Sequence, residues 1–194
     1  MLSENGKSMK GEFPTEIVKP GERLHRAWFE RDVLDVAPGL ISKILAVCTD
    51  SGITARYLIA ETEAYRGEDD LACHASRGRT QRTDIMYHNG GRLYVYLVYG
   101  MYWMLNIVTG KAGDPQAVLI RGLSGCYGPG RLTRLLGIDK SFNGEDLTAS
   151  RRIWVEDTGT DPVFFTGVRI GIDYAGDFWK SRPWRYYVPE ESGP

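Results

Sequence analysis

The run Tyr94-Val95-Tyr96-Leu97-Val98-Tyr99-Gly100-Met101-Tyr102-Trp103-Met104-Leu105-Asn106 leaves this chain few ways to fold. It is dense in aromatic and β-branched residues, which fit a pleated, half-buried surface. Period-two alternation puts Tyr94, Tyr96 and Val98 on one face of a strand and Val95, Leu97 and Tyr99 on the other, with both faces expected to be covered by protein. Gly100 breaks the run, so Tyr99 falls at a strand end and a second strand follows from Tyr102. The bland outcome is an aromatic core hairpin. The sharper one is a stacking platform for flat, π-rich ligands such as nucleobases.

A chain of 194 residues has material for one domain with a substantial core. Helical spacing appears twice between Leu24 and Leu45: Phe29, Val33 and Leu34, then Leu40, Ile41, Ile44 and Leu45, with Pro38 in the first turn of the second helix. Strands are expected at Ala46–Cys48, Ile53–Glu63, Leu93–Tyr99, Tyr102–Thr109, Ala117–Gly122, Ile153–Val155, Val168–Ile172 and Arg185–Val188, with a hairpin turn at Asp50-Ser51-Gly52. Gly128-Pro129-Gly130 introduces a short helix, Arg131–Leu136, ended by Gly137. The stretch Arg66–Gly91 is polar and irregular, and Lys140–Ser150 is loop-like with room for one helical turn. The class is therefore α+β: a single domain, 22–194, with a mostly antiparallel curved β-sheet core and peripheral helices. Residues 1–21 are polar and read as a flexible arm.

The net charge is −1, so no overall basic field draws a polyanion; a nucleic-acid surface would need local segregation of charge. Cys48, Cys73 and Cys126 are far apart and odd in number, as suits free thiols in a reducing compartment. No signal peptide and no membrane-length apolar run is seen, so the expected place is the bacterial cytoplasm, or the nucleus in a eukaryote, and not a secreted one.

The chemistry begins at Glu61-Thr62-Glu63-Ala64-Tyr65. If the strand continues, Glu61, Glu63 and Tyr65 share a face next to a long polar loop, a common position for an active site. His74 lies in that loop without a second ligand at metal spacing, so no zinc is expected. Arg77, Arg79 and Arg82 follow and could grip phosphates. Arg121 ends an apolar strand and needs an anionic partner, for which Glu63 is a candidate. Two readings stay open on the residues alone: a single-stranded RNA-binding platform, and a sugar-cleaving enzyme using Glu61 and Glu63 as a carboxylate pair.

The motifs Glu61–Tyr65, His74, Tyr94–Tyr102, Asn106, Gly128-Pro129-Gly130-Arg131-Leu132, Lys140-Ser141-Phe142, Arg169-Ile170-Gly171-Ile172 and Arg185–Val188 resemble the alkyladenine (3-methyladenine) DNA glycosylase family, in order and from about Leu24 to Val188. Met1–Gly21 lies outside the resemblance, Glu156–Thr166 matches little, and the spacing near Asp177–Pro183 is shifted. The resemblance implies a monofunctional enzyme of base-excision repair that flips alkylated or deaminated purines from double-stranded DNA and hydrolyses the N-glycosidic bond. It implies Glu63 as activator of the water, with Arg121 and the Ile170 carbonyl holding that water. Tyr65 and His74 would stack on one face of the base and Tyr96 on the other, and Asn106 would exclude guanine. Tyr99, with Met101 and Tyr102, would fill the gap in the duplex. Arg77, Arg131 and Lys140 would contact phosphates, with the backbone N–H groups around Gly128-Pro129-Gly130 adding to them. No cofactor or metal is implied, and a monomer suffices.

Overall fold

The computed structural model describes residues 19–49 and 52–189. The strands are β1 (Glu22–Arg23), β2 (Ile44–Cys48), β3 (Thr54–Arg66), β4 (Leu93–Val98), β5 (Tyr102–Thr109), β6 (Gln116–Leu123), β7 (Cys126–Tyr127), β8 (Ile153–Asp157), β9 (Phe165–Gly167) and β10 (Arg185–Tyr187). The helices are α1 (Arg26–Phe29), α2 (Val33–Gly39), α3 (Pro129–Leu135) and α4 (Asp177–Lys180). The strands form one open antiparallel sheet in the order β1-β8-β2-β3-β6-β5-β4, with β10 joining β3 to β9 and β7 joining β6. This is the α+β single domain that the strand-rich sequence implies.

β3 organises the sheet. Thr54–Leu58 pair with β2, and Glu61–Glu63 pair with β10 and with β6. A strand paired on both edges has little contact with water, and Ile59 to Ala64 are buried throughout. The helices cover one face, where Phe29, Val33, Val36, Leu40, Leu105, Ile107, Ile120 and Leu132 form the main core. Full burial of side chains of this size contributes about 1.5–3 kcal/mol each.

Several boundaries differ from the sequence expectation. The second helix does not carry Leu40 to Leu45. The chain leaves α2 just after Pro38 and Gly39, turns at Ser42 in a left-handed conformation (φ 64°), and runs Ile44 and Leu45 into β2. An apolar cluster buried from both sides has no diagnostic period, which is why the two states looked alike. Val168–Ile172 is not a strand. Pairing in that region falls on Phe165–Gly167, while Arg169 turns inward and Ile170, its side chain exposed, donates its backbone N–H to Glu63. β3 extends three residues past Glu63. Arg121 lies inside β6 rather than at its end. The loop between β3 and β4 holds two 3-10 turns, His74–Arg77 and Asp84–Tyr87. Gly21, placed in the arm, is anchored: its N–H donates to Glu156 Oε2 at 3.0 Å, and β1 follows it onto β8. Residues 1–18 and the turn residues Asp50 and Ser51 lie outside the described residues.

Candidate active site

The end of β3 works as a wall because alternation holds through it. Glu61, Glu63 and Tyr65 share a face, and Tyr65 donates its hydroxyl hydrogen to Glu63 Oε2 at 2.8 Å. Across the sheet, the β3–β6 register slips twice. β3 advances two residues while β6 advances one, and then β6 passes Arg121 while β3 advances only one. Such bulges re-aim side chains. Arg121 Nε lies 3.1 Å from Glu61 Oε1 and 3.5 Å from Glu63 Oε1. Gly122 next to it is tightly enclosed: a Cβ would stand 3.1 Å from the Glu61 Cβ and 3.0 Å from the Tyr127 ring, so neighbours would have to give way to a side chain.

Glu63 is fully buried. Its second oxygen accepts the Ile170 backbone N–H at 2.8 Å. Burial pushes its carboxyl above the usual carboxylate range; the Arg121 charge, the Ile170 N–H and the Tyr65 hydroxyl pull the other way. Glu61 is held by two guanidiniums, with Arg185 Nη1 also 3.1 Å from its Oε1.

In front of this carboxylate opens a cavity of ≈ 540 Å³, walled by Tyr65, His74, Tyr94, Tyr96, Asn106, Arg121 and Ile170 among others. That is the volume range of small-molecule sites. Glu63 sits one layer behind, reached through Tyr65, Arg121 and Ile170. His74 comes from the first 3-10 turn, and its Nδ1 lies 2.9 Å from the Tyr94 hydroxyl. Burial, then the charges of Arg82 and Arg77, push His74 down to about 4, so the ring is neutral near pH 7. His74 and Tyr96 are in edge contact, with centroids 4.6 Å apart at 64°. Asn106 is buried and donates to the carbonyls of Tyr94 (3.0 Å) and Met104 (3.3 Å). These bonds fix its amide at the cavity wall. Arg82, singled out in the sequence only as one of a basic cluster, also lines the cavity, its guanidinium 5.0 Å over the Tyr96 ring.

The cavity mouth carries the β4–β5 turn. Tyr99 is 86% exposed and left-handed (φ 52°), followed by Gly100 at φ 70°. A tyrosine in that region costs on the order of 1–3 kcal/mol. Coverage of both faces of the aromatic run therefore fails beyond Tyr96: Leu97 is exposed, and Tyr99 points into solvent. Met101 is exposed as well. Tyr102 is exposed too, but less so (37%), because its ring packs on Gly130, where a Cβ would approach to 2.7 Å.

Arg77, Arg131 and Lys140 are exposed, and none of them forms an ion pair among the described residues. Arg79, by contrast, is tied to Asp84 at 2.9 Å. The backbone donors expected around Gly128-Pro129-Gly130 are mostly spent. The Gly128 N–H binds Arg121 O, those of Arg131 and Leu132 return to Gly128 O, and Pro129 has none. α3 starts at Pro129, two residues earlier than expected. The sequence missed Asp70 and Arg169 as a unit; they form a fully buried ion pair, 99 residues apart, beside the cavity. Among the described residues no group of three His, Cys, Asp or Glu side chains could hold a metal ion, and no helix is long and apolar enough to cross a membrane.

A family model described as methylpurine-DNA glycosylase matches residues 27–126 and 123–192. A protein of Psychrobacter cryohalolentis, provisionally named a 3-methyladenine DNA glycosylase, is 43% identical over 192 residues, covering 84% of this chain and 88% of the relative. Relatives with the same provisional name in Rickettsia felis and Methanocella arvoryzae are 45% and 41% identical, covering 86% and 84% of this chain and 93% and 91% of themselves. The chain belongs to the methylpurine-DNA glycosylase family, whose members are DNA N-glycosylases.

Proposed function

We propose that this enzyme extrudes alkylated or deaminated purines from duplex DNA into the 540 Å³ cavity and hydrolyses the N-glycosidic bond with a water activated by Glu63. One observation carries the reading: a fully buried carboxylate, steadied by Arg121, the Ile170 N–H and the Tyr65 hydroxyl, directly behind an aromatic cavity. Cleavage leaves an oxocarbenium-like sugar. A carboxylate at that carbon offsets the developing charge and accepts the water's proton, general-base help being worth roughly 10²–10⁴-fold. Water gives hydroxide to C1′ and a proton to Glu63 as the C1′–N bond breaks and the base departs with the electron pair. A cationic alkylated purine leaves neutral, and hypoxanthine leaves as an anion that takes up a proton, so that one water is consumed overall. No enzyme amine takes part, so the strand is left intact with an abasic sugar.

Tyr65 and His74 take one face of the base and Tyr96 the other. Stacking on both faces needs rings about 7 Å apart, twice the ~3.5 Å contact distance, so the His74–Tyr96 contact opens as the base enters. A neutral His74 does not repel a cationic alkylated purine, and electron-rich tyrosine faces attract it by about 0.5–2 kcal/mol. Asn106 stands where the 2-amino group of guanine would go. Tyr99 and Met101 fill the vacated stack, Tyr102 buttresses them, and Arg77, Arg131 and Lys140 meet phosphates. The water is also held by the Ile170 carbonyl. One protomer contains every group named, so a monomer is the working unit. Glu61, clamped by Arg121 and Arg185, has no free role as the second member of a sugar-cleaving carboxylate pair.

The test is release of free base from duplexes carrying a single hypoxanthine, ethenoadenine or methylated purine. The proposal predicts free purine and alkali-sensitive but unbroken strands. Release from none of these substrates would refute it.

A further inference from the structure

We propose that the buried Asp70–Arg169 pair is the positioning unit of the active site, setting the Ile170 N–H and the Tyr65 ring against Glu63 and the His74 turn against both. This rests on Glu63 being the base, as proposed above. Arg169 Nη1 and Nη2 reach Asp70 Oδ2 and Oδ1 at 2.5 and 2.9 Å, and both side chains are completely buried. Nη1 also donates to Ala64 O, between Glu63 and Tyr65 on β3, at 2.9 Å. The guanidinium carbon lies 4.9 Å from the Tyr65 ring centroid and 5.0 Å from that of Trp184. Asp70 takes the N–H of Arg66 at 3.1 Å and of Ala72 at 3.0 Å, while its own carbonyl takes the Cys73 N–H just before His74. One ion pair thus touches the end of β3, the base-stacking turn and the residue preceding Ile170.

Stability alone does not account for it. A buried ion pair is about as well replaced by apolar residues of similar volume. The Arg169 Nε is buried without a partner, which adds a cost. What a rigid fork supplies is geometry, and displacement of a catalytic group by about 1 Å costs on the order of 10²-fold in rate. The charged and titratable groups around Glu63 are Arg121, Glu61 with its Arg185, and Tyr65. Around the pair, Tyr174 donates its hydroxyl to Ala72 O.

The experiment compares the whole protein with Arg169→Lys, Asp70→Asn and the double apolar variant Asp70→Leu/Arg169→Met. Melting temperature, duplex affinity and single-turnover base release are measured across pH. Arg169→Lys is expected to release base on the order of 10²-fold more slowly even at saturating enzyme. The acid limb of its rate profile should move up by about one pH unit, the size of one lost hydrogen bond to a charge. The double variant, designed to fold even where single variants do not, should recover the melting temperature but neither the rate nor the acid limb. Release at the wild-type rate by the double variant, or a slowdown with an unmoved acid limb, would overturn the inference. A Glu63→Gln enzyme as fast as wild type would instead overturn the reading beneath it.

Discussion

Acidification should strike this protein through His74. The ring is held neutral by burial and by the nearby charges of Arg82 and Arg77, at about 4 against an ordinary 6.5. Because the folded value is depressed, the contribution is fully present above pH 6.5 and is lost as pH falls toward 4. The gap corresponds to about 3 kcal/mol at 1.36 kcal/mol per unit. The ring is only partly buried, so solvent screening reduces this to about 1–2 kcal/mol. The assay is urea denaturation of wild type and His74→Asn at a series of pH values from about 7.5 to about 4, spanning the free and the depressed value. Shared acid effects from the carboxylates cancel in the difference. Wild type should lose about 1–2 kcal/mol more than the variant across that window. Parallel curves would show that the folded ring titrates like a free imidazole. They would also remove the argument that a neutral His74 tolerates a cationic base.

Tyr99→Asn keeps the left-handed turn, which asparagine tolerates, at no cost or a small gain in melting temperature, while lowering base release through a weaker flipping equilibrium; unchanged release would remove Tyr99 as the wedge. Asn106→Ser, which withdraws the amide fixed on the Tyr94 and Met104 carbonyls, should raise release of undamaged guanine and cost about 1–3 kcal/mol in stability. Guanine still rejected by a folded variant would count against that assignment. Replacing Arg131 and Lys140 together by alanine should lower the slope of log affinity against log salt by about 2; a slope equal to that of wild type would place the phosphate contacts elsewhere.

The sheet and much of the site were legible because they rest on alternation. Glu61, Glu63 and Tyr65 fall on one face simply because β3 does not break, and Gly100 marks the turn that exposes Tyr99. The Glu63–Arg121 contact was anticipated as chemistry, but its cause was not, since a paired bulge depends on two strands at once. Leu40 to Leu45 misled because burial from both sides erases the period. Asp70 and Arg169 stayed invisible for a related reason: an isolated aspartate and arginine 99 residues apart have no local signature. The glycine-proline-glycine stretch promised free backbone donors, and only the folded chain shows them turned back on Gly128 and Arg121.

The most direct test of the central claim is single-turnover base release by Glu63→Gln against wild type, with duplex affinity and melting temperature measured alongside. The folded enzyme holds the Glu63 proton more tightly than the unfolded chain, so the ionised form costs stability once pH rises past the ordinary 4.5. Glutamine removes that cost. The account predicts a variant that binds damaged duplex normally, melts higher at neutral pH, and releases base at least ~10²-fold more slowly. Release at the wild-type rate by a well-folded Glu63→Gln enzyme would contradict it.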